Sequence, residues 1–278
     1  MRFRKLIRLY NRLRYHNEIR VSGDSSWSVD KQATVRDSVI KLSGKSVIWV
    51  GAGAVVRNVA FQVASGSSVR IEDGVRLDGM DICAWNGSDV VFGKDGHYHN
   101  VDFSVGKGKV YIAEENHFDS GMSIIRPCVS VMAGSLEVGD HNRIMGSFWI
   151  RFGGKASIGR YNCINEQTEI RADESVTIGS YNMISYSCDI WDTNTHCAYT
   201  LEERIEAFEK DFPQIGKERN RPKTSPVTIG DGNWIGKYAC VLKGVTLKDN
   251  VTVGTRAIVS NMVVEEGGIV VSPKGQTI

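Results

Sequence analysis

Residues 229–263 read IGDGNWIGKYACVLKGVTLKDNVTVGTRAIVSNMV, and their period is six. Ile229, Ile235, Val241, Leu247, Val253 and Val259 recur at every sixth position. That spacing fits neither the 3.6-residue period of a helix nor the alternation of an ordinary strand. Four residues after each stands Asn233, Ala239, Val245, Val251, Ala257 or Val263, and Gly follows directly at 230, 236 and 254. A fixed short repeat of this kind builds a solenoid. Three hexads make one triangular coil of a left-handed parallel β-helix. The aliphatic residue points into the prism, and the second, mostly small residue keeps the prism narrow.

The rule extends upstream with a small insertion. Val138, Ile144 and Ile150 lead to Ile158, Ile164 and Ile170, then to Ile178, Ile184 and Ile190. Here the steps are six, six and eight, so each coil takes twenty residues and one corner bulges. Phe92, Tyr98, Ser104 and Ile112 keep the same count, and Val50, Ile71 and Phe92 extend it at intervals of twenty-one. Phe118 and Ile124 fit before a wider loop to Val138. The expectation is an all-β chain: nine to ten coils over residues 35–272, a prism roughly 45 Å long at ~4.8 Å per layer. One long helical loop insertion, 191–226, and a tail, 273–278, complete it.

Composition agrees. The 278 residues hold 29 Gly and 5 Pro without a Gly-X-Y period, which excludes collagen. Eight glycines (Gly51, Gly93, Gly139, Gly159, Gly179, Gly230, Gly236, Gly254) directly follow a hexad-leading residue, and Pro213, Pro222 and Pro226 lie in the one long break. Hydrophobic residues at 41% and charged residues at 24% exclude a disordered chain. The longest apolar runs are too short to span a bilayer as helices.

Net charge is +2, so the bulk balance implies no nucleic-acid partner. The charge is unevenly placed: seven Lys/Arg against one acid in residues 1–20 leave the other 258 at −4. Phe3, Leu6, Ile7, Tyr10 and Leu13 stand at helical spacing there, predicting a basic amphipathic helix over 1–22. Such a helix caps its own domain, docks on a partner, or lies on an anionic membrane surface. No apolar core of a secretory signal follows the basic residues, so a cytoplasmic protein with reduced thiols is expected.

Asn116, Asn142, Asn162, Asn182 and Asn233 recur at one coil position and predict a hydrogen-bonded ladder or corner device. His97 and His117, one coil apart with His141 nearby, do not make up a secure set of metal ligands, and no metal is expected. Of six cysteines, Cys197 attracts notice only because it follows His196, and a bystander thiol is the expectation.

The break between Ile190 and Ile229 is where function belongs, since long loops interrupting a solenoid usually carry it. It reads WDTNTHCAYT, then a helix opened by a Thr200/Glu203 capping box with an apolar face of Leu201, Ile205, Phe208 and Phe212. A basic stretch follows, with Lys217, Arg219, Arg221 and Lys223. An apolar helix face on a protruding loop needs a surface to cover, such as a neighbouring subunit.

A D-x-x-x-H stretch, the break, then P-V-x-I-G-D-x-x-W-I-G and clean hexads resemble the hexapeptide-repeat acetyltransferases. The likeness is to galactoside, maltose and xenobiotic acetyltransferases and to O-acetyltransferases of bacterial surface polysaccharides. It is strongest over 176–273. It implies a homotrimer binding acetyl-CoA between adjacent prisms, a sugar or glycan acceptor, and His196 as the general base. An imidazole of that kind takes the proton of a sugar hydroxyl as the oxygen attacks the thioester. The same resemblance places cofactor contacts at Trp234, Lys237, Thr255, Ser260, Asn261 and Lys274, where Asn261 replaces the family's usual Lys. It points to Asn165 and Gln167 for the acceptor, and to Asp192 or Asp189 for orienting His196 or binding an acceptor hydroxyl. N-acetylation of an amino-sugar nucleotide and a non-catalytic β-helix scaffold or adhesion module stay open as alternatives.

Overall fold

The computed structural model of the chain describes residues 14–216, 218 and 220–272. Each coil sends one short strand to each of three flat faces, and each strand pairs in parallel with the strands one coil away. The last coil before the break and the first after it show the scheme. Ser175–Ile178 lies on the first face, Met183–Ile184 on the second and Asp189–Trp191 on the third. They pair with Val227–Ile229, Trp234–Ile235 and Cys240–Leu242. The first face is an eleven-stranded sheet. The other two are joined into one twenty-stranded sheet because Val55–Val63 and Arg76–Ala84 run unbroken around their shared corner. This is the left-handed parallel β-helix read from the hexads.

The stack is deeper than nine or ten coils and begins before residue 35. Glu18–Val21, Ser26–Val29 and Thr34–Arg36 form a further turn, pairing with Val39–Leu42, Val47–Val50 and Val55–Val63. The expected helix over 1–22 therefore ends early. Residues 14 and 15 are helical, His16 turns the chain at φ 53°, and Glu18 opens a strand. The reason lies in the pattern: after Leu13 the 3.6 period gives way to the alternation Glu18-Ile19-Arg20-Val21. The stripe from Phe3 to Leu13, and the tail 273–278, lie outside the described residues.

Hexad leaders fill the core as expected, with Ile144, Ile150, Ile164, Ile170, Ile184, Ile190, Ile235 and Val253 fully buried. Three positions differ. Ser104 faces outward, because Phe103 and Val105 are the inward residues of that strand. Ile124 lies fully exposed on a loop with Met122 and Ile125, and Val129 and Val131 of the following strand take the inward places. Val263 is exposed and Val264 points in, because Thr246 pairs with Val263 and the last coil is one residue short. The aromatic part of the core, Phe92, Tyr98, Phe103 and Phe118, sits in the N-terminal half, with the Phe92 ring centre 4.8 Å from that of Tyr98 and 5.0 Å from that of Phe103. The shorter C-terminal coils enclose only aliphatic residues, as close packing of a narrower prism requires.

The Asn column is a ladder. Asn142 Nδ2 donates to Asn116 Oδ1, Asn162 to Asn142 and Asn182 to Asn162, each at 3.0 Å. The same side-chain oxygens accept backbone N–H groups, ending with Val251 N–H on Asn233 Oδ1 at 2.6 Å. The left-handed angles fall one residue earlier, on Glu115, His141, Tyr161, Tyr181 and Gly232. Asn is thus chosen to satisfy buried polar groups along the corner rather than for its backbone.

Candidate active site

The loop leaves the prism at the corner between the third and first faces through a pinned neck. Buried Asp192 accepts three backbone N–H bonds, from Asp173 (2.9 Å), Glu174 (2.7 Å) and Ser175 (2.6 Å). Burial still pushes its carboxyl up, against the pull of those donors. Arg151 grips buried Asp173 through Nε (2.9 Å) and Nη2 (2.7 Å), and Thr193 Oγ1 donates to the same carboxylate at 2.8 Å. Arg151 Nη2 also reaches the Thr195 carbonyl at 3.3 Å, and Thr193 bridges antiparallel to Thr224 to close the neck. Asp192 therefore staples the loop to the preceding coil and does not orient His196.

Thr195 adopts φ 64°, an uncommon angle for a β-branched residue, and Thr193 Oγ1 accepts its N–H at 3.0 Å. That turn throws His196 outward, and 63% of its side chain is exposed. Its Nδ1 lies 3.2 Å from Glu218 Oε2, and the Glu218 side chain is only 3% exposed. Cys197 N–H donates to the same oxygen at 3.2 Å, and Tyr199 O–H donates to Oε1 at 2.6 Å. Burial alone would raise the Glu218 carboxyl. The bonds from Tyr199, Cys197 and His196 outweigh it and hold the group below its usual value. The same contact raises Tyr199, so the phenol remains protonated. Burial first, and Glu218 second, push the Cys197 thiol up, which suits a bystander rather than a nucleophile.

Beside His196 lies a pocket of about 540 Å³, walled by Tyr199, Arg204, Phe208, Lys210 and Glu218. Its wall is helix α1 (Leu201–Asp211), opened by the expected capping box: Glu203 N–H donates to Thr200 Oγ1, and Thr200 N–H to Glu203 Oε2. No residue of α1 is buried, so Leu201, Ile205 and Phe208 present their apolar face to the outside.

The remaining expected residues fall on other parts of the prism. Asn165, Gln167, Lys237 and Thr255 share the corner between the second and third faces, where Asn165 Nδ2 bonds the Ile184 carbonyl (2.9 Å) and Gln167 accepts from Ser187 (3.1 Å). Lys237 Nζ there lies 4.8 Å from the centre of the Tyr238 ring. Trp234 stands exposed on the second face, between Met183 and Thr252. Asp189 is half-buried on the third face beside Cys240, its carboxyl raised by burial and by Glu169. Ser260 and Asn261 lie at the loop's own corner, two coils on, where Asn261 N–H bonds the Lys243 carbonyl at 3.1 Å. Lys217, Arg219 and Lys274 lie outside the described residues, and Arg221 sits 3.4 Å from Glu174. Within one chain, Trp234, Lys237, Thr255, Asn165 and Gln167 thus lie on a face and a corner other than the loop's.

His97 and His117 lie with ring centres 4.6 Å apart and planes tilted by 50°. Among the described residues no three His, Cys, Asp or Glu side chains converge as a metal would need. Sequence reasoning missed Glu218 and Tyr199. The available signal for Glu218 was that it is the lone acid in the basic run 217–223.

Residues 226–261 match the family model described as bacterial transferase hexapeptide (six repeats). No curated protein matches the chain. Among solved structures, the chain is similar to the polySia-specific acetyltransferase NeuO (14% identity, TM-score 0.39, covering 92% of this chain and 86% of that one). It is also similar to the Arabidopsis UDP-N-acetylglucosamine acyltransferase (13%, 0.38, 90% and 65%) and to the polysialic acid O-acetyltransferase OatWY (14%, 0.31, 92% and 84%). Likeness at this level extends to neither substrate nor chemistry. The uninterrupted hexads of residues 226–261 match the six-residue repeat that this family model describes, within the stretch where the resemblance to the hexapeptide-repeat acetyltransferases is strongest.

Proposed function

We propose that this chain is an acetyl-CoA-dependent O-acetyltransferase acting on a sugar hydroxyl, in the making of a bacterial surface polysaccharide. The observation that carries the reading is His196 on its strained turn, with Nδ1 against the buried, ionised Glu218 and a pocket alongside. A carboxylate on Nδ1 fixes the tautomer with the proton there, leaving Nε2 as the base. Nε2 takes the acceptor's hydroxyl proton, the oxygen bonds to the thioester carbonyl carbon, and the C–S bond breaks. The imidazolium, steadied by Glu218, returns that proton to the CoA sulfur.

Trp234, Lys237 and Thr255 lie on a different face and corner from His196 of the same chain, so the complete site draws on two subunits of a homotrimer. Acetyl-CoA then lies between adjacent prisms against Trp234, Lys237, Thr255, Ser260, Asn261 and Lys274. The basic N-terminal segment suits an enzyme in the cytoplasm working beside the inner membrane face. Thioester turnover with acetyl-CoA against a range of sugars tests the reading. CoA release should fall by about 10²-fold or more in His196→Ala. Equal release by both proteins on the true acceptor removes His196 as the base, and failure of calorimetry to detect any CoA binding removes the enzyme reading.

A further inference from the structure

The third face, beside the loop neck, carries a column of large outward side chains. Trp149, Arg171 and Trp191 occupy three consecutive rungs in direct register. The guanidinium carbon of Arg171 lies 5.8 Å from the Trp149 ring centre and 5.0 Å from that of Trp191, so the cation is held between two indoles. Its Nε bonds Glu169, while its terminal amino groups make no hydrogen bond to protein among the described residues. Glu169 and Asp189 stand in register in the neighbouring column, both half-buried. On its far side Trp149 meets Ser130, too small to cover the indole face.

The column also stands at the loop's root. Arg151, two residues beyond Trp149, holds the Thr195 carbonyl next to His196, and Trp191 directly precedes the stapling Asp192. The Trp191 indole N–H is buried and unpartnered, a donor left unmet at the same place. Plain packing of a flat face calls for none of the surrounding polar groups. A partly exposed indole with a guanidinium against it and two carboxylates on the rungs beyond is instead the chemistry that holds a pyranose. The ring's C–H face lies on the indole, and planar polar groups bond vicinal hydroxyls.

Two carboxylates against one guanidinium make the local charge negative, which disfavours an acidic sugar. We propose that Trp149, Arg171 and Trp191, with Glu169 and Asp189 beside them, form the acceptor subsite, and that it takes an uncharged pyranose stacked on Trp149. The acceptor role rests on the acetyl-transfer reading. The sugar-binding surface itself does not.

The test separates the two. Tryptophan emission and calorimetry of the full-length protein, without acetyl-CoA, are followed with methyl glucoside, methyl galactoside, methyl N-acetylglucosaminide and the methyl glucuronide and galacturonide. At least one uncharged glycoside should shift emission and bind, with affinity falling about tenfold or more in Trp149→Ala and largely kept in Trp149→Phe. Arg171→Lys, which keeps the charge but loses the planar fork, should weaken binding by a similar factor. Where turnover is measurable, Trp149→Ala should raise the acceptor KM about tenfold while leaving the acetyl-CoA KM within about twofold. No binding by any glycoside at about 50 mM, or wild-type affinity in both Trp149→Ala and Arg171→Lys, overturns the subsite. Tighter binding of the uronides overturns the assignment to an uncharged sugar. Glycoside binding lost in Trp149→Ala, in a protein that binds no acetyl-CoA, upholds the subsite and removes the acetyl-transfer reading. Turnover lost in His196→Ala, with an unchanged acceptor KM in Trp149→Ala, does the reverse.

Discussion

At the scale of single residues, the pairing of His196 with Glu218 is the feature with the most direct consequence. Glu218→Gln keeps the shape and removes the charge that steadies the imidazolium. Turnover at fixed pH should fall about tenfold to a hundredfold, which steady-state kcat/KM on the acceptor checks. Because the Glu218 carboxyl is held below its ordinary value, its contribution to loop stability is fully present above the unfolded-state pKa. It is lost only as pH falls through the lowered folded value. His97 works in the opposite sense. Burial, then His117 and Arg76, lower its pKa, so the folded state prefers the neutral ring. Its stabilising preference is complete above the unfolded-state value of ~6.5 and declines as pH drops through and below it. Thermal melting should show Tm falling from pH 7.5 to 5, with a shallower fall in His97→Asn. An unchanged slope in that variant rules out His97 as a source.

At the scale of elements, the Asn ladder carries more than its recurrence along one corner suggests. Asn162 accepts from Asn182 twice, through side chain and backbone, and donates to Asn142 and to the Gly179 carbonyl at 2.9 Å. Asn162→Ala leaves these buried partners unmet. It should cost roughly 2–4 kcal/mol in denaturant melts, more than one ordinary hydrogen bond. Helix α1 contrasts with it. Its capping box is complete, yet none of its residues is buried. Thr200→Ala should therefore loosen α1 in hydrogen exchange by about 1 kcal/mol while leaving global melting unchanged. The helix was legible from Thr200, Glu203 and its apolar spacing. Its partner was not, because an amphipathic face states that it needs a cover without stating which.

At the scale of the whole molecule, the separation of His196 from Trp234 within one chain leads to a complementation experiment. If the site is shared between subunits, mixing inactive His196→Ala and Trp234→Ala chains under exchange conditions should restore turnover, while each variant alone stays low. No recovery in verified mixed oligomers overturns the shared site. The sequence by itself determined the prism: aliphatic residues every sixth position, Gly after the leaders, an Asn column and one long break can satisfy burial and hydrogen bonding together in only one architecture. The coil positions of Asn165, Trp234, Lys237 and Thr255 follow from that period alone. It misjudged Ser104 and Val263, where a one-residue slip in register exchanges inside for outside, and Ile124, which lies on the loop before Cys128–Val131 rather than in a coil. Tertiary structure decided what lies across the coils. Asp192 staples the loop, although the resemblance points to it for orienting His196. Glu218, twenty-two positions after His196 in a basic run, is the carboxylate that meets the ring. The column of Trp149, Arg171 and Trp191 likewise appeared only when rungs twenty or more residues apart were stacked. Local periodicity fixes which way a side chain faces, whereas the loop's return path and the inter-coil register fix what it meets, and neither has a period to read.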